Sequence, residues 1–133
     1  MKALKAKVTG ALPHRSLVEA CDNSGAKVVR IVSLKGAKTV RRRKPTAGVG
    51  DLVMISVVKG HQSVRKKVMP AIVVRQKKEY RRPDGTRVKF ESNAVVILKD
   101  EKGNPKGTMF KGPIAKEAAD RWPAIAKIAE QIL

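Results

Sequence analysis

The stretch Ser-Leu-Val-Glu-Ala-Cys-Asp-Asn-Ser-Gly-Ala-Lys-Val-Val-Arg-Ile-Val-Ser-Leu, residues 16–34, decides the fold class. It contains two runs rich in β-branched residues, Ser16–Cys21 and Ala26–Leu34, on either side of the tetrapeptide Asp22–Gly25. Asp, Asn and Ser side chains hydrogen-bond to their own backbone in turns, and glycine tolerates positive φ angles. The pattern therefore predicts two strands joined by a hairpin turn.

Three further apolar runs predict core strands downstream of this hairpin. They are Asp51–Val58, Ala71–Val74 and Phe90–Leu98, the last interrupted at Ser92-Asn93 and followed by a loop over Asp100–Gly107. Five or more strands with no helix between them favour a closed barrel, because closure removes the exposed edges of a small sheet. The sequence predicts a mainly β fold, a small closed five-stranded β-barrel over about residues 16–110.

The segment Lys77–Lys89 differs from the predicted core strands. It surrounds the turn sequence Pro83-Asp84-Gly85 with polar arms rich in Lys and Arg, which predicts a second hairpin. A hairpin without an apolar face has nothing to bury in a core. We therefore expect it to project away from the barrel and to become ordered only when it binds a partner.

From Gly112 onward the apolar spacing changes to that of helices. Pro113 suits a first helical position, and Pro123 both ends one helix and can begin a second. Trp122 and Ile125 are expected to anchor these helices to the barrel. The predicted apolar stripe comprises Ile114, Ala118, Trp122, Ile125, Ala129 and Ile132. Residues 1–133 are thus predicted to form one domain, with its C-terminal helices over residues 113–133.

The charge of the chain is large and unevenly distributed. Its 133 residues include 30 Lys and Arg against 11 Asp and Glu, a formal charge of +19. Between Lys35 and Lys44 six of ten residues are basic and none is acidic, whereas Ile114–Leu133 carries three charges of each sign. Such an excess repels itself unless a polyanion neutralises it, and counterion release from phosphates supplies binding free energy. The distribution predicts one face for nucleic acid and another for protein.

Aromatic residues make up only 3% of the chain, too few for the stacking surfaces of proteins that read single strands. The expected partner is therefore a folded nucleic acid, recognised through its phosphates and its shape. The residues predicted to bind it are Lys35, Lys38, Arg41, Arg42, Arg43, Lys44, Arg65, Lys66, Lys67, Lys77, Lys78, Arg81, Arg82 and Arg87. The residues predicted to face a protein partner are Lys116, Ala119, Asp120, Lys127 and Glu130.

A catalytic role is not expected, although Cys21 could be paired with His14 or His61 and oriented by Asp22. Cys21 ends an apolar strand, where a free cysteine usually acts as a small hydrophobic residue, and both histidines adjoin predicted turns. The segment Gly48–Gly50 precedes a strand, unlike a phosphate-binding loop, which precedes a helix. A lone cysteine excludes a multi-cysteine zinc site. No catalytic residue, metal or cofactor is predicted, and we expect a cytoplasmic protein without a membrane span.

Several spaced motifs resemble those of one family, the large-subunit ribosomal proteins numbered fourteen. The turn Cys21–Lys27 resembles the hallmark turn of that family, and Ala47–Asp51 and Gly112–Glu117 are similar to further family blocks. Trp122-Pro123 and Tyr80-Arg81-Arg82 resemble the archaeal and eukaryotic branch rather than the bacterial one. Matching spacing also occurs at Ala71–Val74, Asp84-Gly85, Phe90, Asn93 and Val96-Ile97, so the resemblance covers the chain from about Ser16.

The resemblance implies a fold and a function. The fold is a five-stranded barrel with a projecting β-ribbon and short C-terminal helices. The implied partners are large-subunit ribosomal RNA, neighbouring ribosomal proteins, small-subunit ribosomal RNA at an intersubunit bridge and, in this branch, an anti-association factor. Residues 1–15 match the family poorly, and we expect them to be a basic lead-in.

Two other classes of function remain open at this point. One is a free RNA-binding translation factor with a similar barrel, which would bind RNA reversibly. The other is a barrel-type RNA-modifying enzyme, which would need a concave cluster of titratable groups with perturbed pKa values.

Overall fold

A five-stranded closed barrel forms the centre of the molecule, for which a computed structural model describes residues 8–36 and 40–133. Its strands are Leu17–Ala20, Ala26–Leu34, Leu52–Gly60, Val68–Arg75 and Ala94–Ile97, in that order around the barrel. The strands of the described residues are β1 (Leu12–Pro13), β2 (Leu17–Ala20), β3 (Ala26–Leu34), β4 (Thr46–Ala47), β5 (Leu52–Gly60), β6 (Val68–Arg75), β7 (Tyr80–Arg81), β8 (Arg87–Val88) and β9 (Ala94–Ile97). The helices are α1 (Lys116–Arg121) and α2 (Pro123–Ile128).

The first predicted hairpin, β2 and β3, begins the barrel, and the pairing of β2 with β9 closes it. β2 pairs with β3 antiparallel across the turn Asp22–Gly25, and β2 also pairs with β9 in parallel, with Glu19 opposite Ala94. The remaining neighbours, β3 with β5, β5 with β6 and β6 with β9, are all antiparallel. The prediction of a mainly β fold with a closed five-stranded barrel is confirmed.

Two apolar clusters stabilise the molecule, one inside the barrel and one outside it. In β5, the side chains of Val53, Ile55 and Val57 point into the barrel and are at most 1% exposed. The second cluster lies on the outer surface of β6 and β9, where Ile72 and Val96 are fully buried beneath the C-terminal segment. Residues 71–74 of β6 are therefore all buried, because side chains on both sides of this strand are covered.

The C-terminal helices are shorter than the sequence pattern predicted. Pro123 does begin α2, but α1 begins at Lys116 and not at Pro113. The preceding segment is extended because Ile114 N–H donates to the Gln131 carbonyl at 2.9 Å and Leu133 N–H donates to the Ile114 carbonyl at 2.9 Å. Ile132 was predicted on the helical stripe, but it lies beyond α2 in this extended pairing and is 45% exposed.

The predicted second hairpin exists, but the expectation that it has no apolar face is wrong. β7 and β8 are antiparallel, with Tyr80 opposite Val88 and Arg81 opposite Arg87. Tyr80 is 2% exposed and Val88 is half-buried against the outer cluster, whereas both arginines are exposed. Since side chains alternate across a strand pair, one cross-strand pair faces the protein and the next faces solvent.

Candidate nucleic-acid interface

The basic segment 41–44 is fully exposed at one end of the barrel. Arg41, Arg42, Arg43 and Lys44 lie between β3 and β4 in the sequence. A turn shapes this segment, because Arg43 N–H donates to the Val40 carbonyl at 3.1 Å and Arg42 has a φ of 69°. The four cations have no ion pair with any acid of the described residues. They are thus available for phosphate groups.

Two further lysines were predicted for this end of the molecule. Lys35 is exposed and forms an ion pair with Glu101 at 3.1 Å, with more than half of each side chain in solvent. An ion pair this exposed contributes little and can exchange for another partner. Lys38 lies outside the described residues.

A second exposed basic cluster, Arg65–Lys67, lies in the loop between β5 and β6. The backbone of this loop is tied to β5, because Lys66 N–H donates to the Val57 carbonyl at 3.0 Å and Val57 N–H donates to the Lys67 carbonyl at 3.3 Å. Val64 is 3% exposed and packs into the barrel core. The three cations are therefore held on an ordered loop with their side chains in solvent.

The two clusters lie near opposite ends of the β3–β5 pair. Val57 beside the second cluster is opposite Val29, and the first cluster follows Leu34 at the end of β3. The five steps along the strand from Val29 to Leu34 span about 17 Å. Both clusters can therefore contact one folded RNA at separate phosphates.

Between the clusters, the outer surface of the barrel is open to solvent. We call the outer surface of β2, β3, β5 and the start of β6 the open face. One row across it joins Leu17, Arg30, Ser56 and Val68, each opposite the next in the strand register. Leu17 and Val68 are 56% and 58% exposed. This row thus presents two apolar side chains and the cation Arg30 between the two basic clusters, and Glu19 is exposed beside it on β2.

The cations of the second hairpin have two different environments. Lys77, Lys78, Arg81 and Arg87 are exposed, and Arg87 pairs with the exposed Glu79 at 3.0 Å. Arg82 instead donates from Nε to Glu117 Oε1 at 2.7 Å and from Nη2 to the Leu133 carbonyl oxygen. Its side chain is only 17% exposed, so this predicted RNA-binding residue is engaged inside the protein.

Glu117 also accepts a hydrogen bond from the hydroxyl of Tyr80, at 2.9 Å from Oε2. Burial, and then the charge of Glu117, raise the pKa of Tyr80, so the hydroxyl keeps its proton and acts as the donor. The carboxylate therefore joins the hairpin to α1. Sequence reasoning missed this role of Glu117, although a buried carboxylate needs such partners and two candidates lie in the Tyr80-Arg81-Arg82 motif.

The residues predicted to face a protein partner lie on and beyond the two helices. Lys116, Asp120, Lys127 and Glu130 are exposed. Ala119 is 5% exposed and is covered within the chain, so it does not belong to the accessible surface. The four exposed residues carry two charges of each sign.

The residues of the turn around Cys21 have structural roles. Burial raises the pKa of the Cys21 thiol to about 11, so it is not a thiolate nucleophile at neutral pH. Asp22 accepts hydrogen bonds from Ile97 N–H at 3.0 Å and from Ser24 Oγ at 2.7 Å. Asn23 Oδ1 accepts from Thr108 N–H at 2.8 Å. The turn therefore connects β2 to β9 and to the loop that follows β9.

The described residues hold none of the other arrangements that were weighed in the sequence. His61 is exposed and hydrogen-bonds Ser63 Oγ at 2.8 Å, and His14 lies half-buried beside the β1–β4 pair. No group of three or more His, Cys, Asp or Glu is placed to hold a metal ion within residues 8–36 and 40–133. In that same part of the chain, neither helix has the length and apolar character needed to cross a membrane.

Residues 11–133 match the family model described as ribosomal protein L14p/L23e. The chain belongs to this family. It is 52% identical to the large ribosomal subunit protein uL14 of Nanoarchaeum equitans, over the full length of both chains. It is also 49% identical to the uL14 proteins of Methanococcus vannielii and Methanococcus maripaludis, with 99% of each chain covered. The resemblance to the archaeal branch of the family is confirmed.

Family membership argues against the enzymatic class of function that the sequence left open. A ribosomal-protein family supports a structural role and not an enzymatic one. The neutral thiol of Cys21 agrees with that conclusion. The predicted location in the large ribosomal subunit agrees with the names of these relatives.

Proposed function

We propose that this chain is a structural protein of the large ribosomal subunit that binds large-subunit ribosomal RNA through its two exposed basic clusters. The observation that carries the proposal is the position of Arg41–Lys44 and Arg65–Lys67 at the two ends of the open face, with no ion pair to any acid in the described part of the chain. Arginine and lysine in such clusters bind phosphates and displace counterions.

The barrel supports recognition of RNA shape. The second cluster is tied to β5 through Val57, and the first cluster lies just before β4, so the fold sets the spacing between the two clusters. Phosphate contacts at a fixed spacing position a protein on folded RNA without reading its bases. The remaining exposed hairpin cations, Lys77, Lys78, Arg81 and Arg87, would extend the same contacts.

The charge-balanced C-terminal surface is proposed to serve proteins instead of RNA. Its exposed residues, Lys116, Asp120, Lys127 and Glu130, sum to zero charge. Neighbouring ribosomal proteins and an anti-association factor are the proposed partners of this surface, and small-subunit ribosomal RNA is the proposed partner at an intersubunit bridge. These finer roles rest on the family resemblance and on the separation of charged and neutral surfaces.

A salt titration of RNA binding tests the main proposal. If about eight phosphates are contacted, affinity for large-subunit ribosomal RNA falls roughly 10³-fold or more between 50 and 200 mM salt. Arg65→Gln combined with Lys67→Gln should weaken binding about 100-fold and lower the salt slope by about 2. Lys116→Gln combined with Lys127→Gln removes the same charge from the other surface and should leave binding nearly unchanged. Equal losses from the two double variants would contradict the assignment.

Co-sedimentation separates a ribosomal protein from a free translation factor. The chain should remain with large subunits after a high-salt wash. Release into the supernatant at that step would instead support a reversible RNA-binding factor.

A further inference from the structure

A pocket of about 360 Å³ lies outside both basic clusters. It is formed where β6 ends, where the chain leaves the second hairpin, and where the C-terminal segment meets both. Its walls include the cations Arg75 and Lys89, the apolar groups Phe90 and Pro113, and the carboxylate Glu91. The volume is within the range of about 300–1,000 Å³ that is typical of ligand pockets.

Arg75 is the feature of this pocket that the fold does not explain. Its Nε atom is buried and has no hydrogen-bond partner among the described residues. The guanidinium also has no ion pair within that part of the chain, and residues 1–7 and 37–39 contain no acid. Leaving a buried donor unpaired is unfavourable. Arg75 also lines the pocket, so an anion bound there can contact the guanidinium.

The Arg75 side chain lies close to the backbone of Gly112. Gly112 has a φ of 79°, and a Cβ atom there would collide with Arg75 Nη1. The guanidinium therefore packs on the Gly112 backbone at the edge of the pocket. The planar guanidinium can bind a bidentate acceptor such as a phosphate.

The surroundings favour a phosphate over a protein carboxylate. Lys89 also lines a neighbouring cavity together with Lys77 and Lys78, so four cations follow one another along this side of the hairpin. Glu79, which lines that cavity, is already paired with Arg87 at 3.0 Å, and Glu91 is the acid that lines the pocket itself. A row of cations suits a chain of phosphates, and the apolar wall of the pocket suits a sugar or base.

We propose that this pocket binds one nucleotide of ribosomal RNA, with its phosphate at Arg75 and Lys89 and its sugar or base against Phe90 and Pro113. The proposal rests on the RNA-binding function proposed above and adds a site that lies on the hairpin side of the barrel. None of the sequence motifs indicated it, because Arg75 ends an apolar strand.

The test measures binding of the full-length chain to large-subunit ribosomal RNA over a range of salt concentrations. Arg75→Gln and Lys89→Gln should each weaken binding about tenfold and lower the salt slope by about 0.9. Arg75→Lys keeps the charge but loses the paired N–H donors of the guanidinium, so it should retain part of the affinity that Arg75→Gln loses. Lys99→Gln is the matched control, because it removes one exposed charge from a loop outside both cavities, and it should bind as the wild type does.

The outcomes separate the pocket from the general function. If the wild type shows no salt-dependent binding, the proposed function fails. If the wild type binds with a steep slope and both variants match it, the pocket proposal is overturned and the function stands. Normal RNA binding by Arg75→Gln with loss from assembled subunits would show that a protein carboxylate fills the pocket, which also overturns it. If Arg75→Gln does not fold, Lys89→Gln on the exposed rim decides alone.

Discussion

The barrel has two outer surfaces, one open to solvent and one covered by the C-terminal segment. On the open face Leu17 and Val68 are 56% and 58% exposed. On the surface formed by β9 and the second half of β6, which we call the covered face, Ile72 and Val96 are fully buried by the C-terminal segment. β-Branched residues occur on both faces, for example Val32 and Val68 on the open face and Ile72 and Val96 on the covered face. The helices therefore complete the core on one face, and the other stays accessible for binding.

The covered face changes how the C-terminal surface must be tested. Truncation after Pro113 would remove Ile114, Ala118 and Trp122, all of which belong to the outer cluster. It would expose Ile72 and Val96, so loss of folding would hide any specific effect on partners. Substitutions at exposed positions such as Asp120 are the appropriate probes of that surface.

The largest expected effect is that of Trp122→Ala. Trp122 is 3% exposed, its Nε1 donates to the Gly50 carbonyl at 2.9 Å, and its ring packs on Gly103. Loss of a buried large aromatic side chain costs about 3–5 kcal/mol. Chemical denaturation should show a decrease of this size in the free energy of unfolding.

Leu17→Ala on the open face is the control for that measurement. Its side chain is mostly in solvent, so the change should stay within about 0.5 kcal/mol. Similar losses from the two substitutions would mean that the open face also belongs to the core.

A smaller effect is expected from Glu117→Ala, which tests how the hairpin is attached. The substitution removes the ion pair with Arg82 and the acceptor of the Tyr80 hydroxyl. We expect a loss of about 2–3 kcal/mol, because the partners are partly or fully buried and hydrogen bonds to charged groups are strong. Hydrogen exchange should show faster exchange of the Arg82 and Gly85 amides, while the β5 amides keep their protection.

Glu79→Ala is the matched control, because Glu79 also pairs with a hairpin arginine but in solvent. This pair should contribute less than about 1 kcal/mol. If the Arg82 and Gly85 amides exchange freely in the wild type, the hairpin is disordered alone, as the sequence had suggested, and the attachment through Glu117 does not hold in solution.

The difference between the two hairpins also shows what the sequence could predict. β3 was predicted with its observed bounds, because a β-branched run next to a turn determines a strand locally. The burial of Tyr80 was missed because basic neighbours surround it in sequence, although its partner Val88 was a local clue. No local signal could place Asn23 beside Thr108, 85 residues away, or leave Arg75 without an acceptor. Such features arise from the packing of distant segments.

The smallest expected effect is a pH dependence of stability with opposite signs for a buried and an exposed aspartate. Burial raises the pKa of Asp22, and its hydrogen bonds only partly oppose this. Its contribution to stability is therefore fully present below the unfolded-state pKa, about 3.9, and is lost as the pH rises through the folded-state pKa. The hydrogen bond from Thr86 N–H lowers the pKa of the exposed Asp84, so its contribution is present above the unfolded-state pKa and is lost as the pH falls. The free energy of unfolding of the wild type minus that of Asp22→Asn should decrease from pH 4 upward, whereas the corresponding difference for Asp84→Asn should decrease from pH 4 downward. If the free energies of unfolding of the wild type and of Asp22→Asn change in parallel with pH, burial of the ionised Asp22 carboxylate does not lower the stability of the fold.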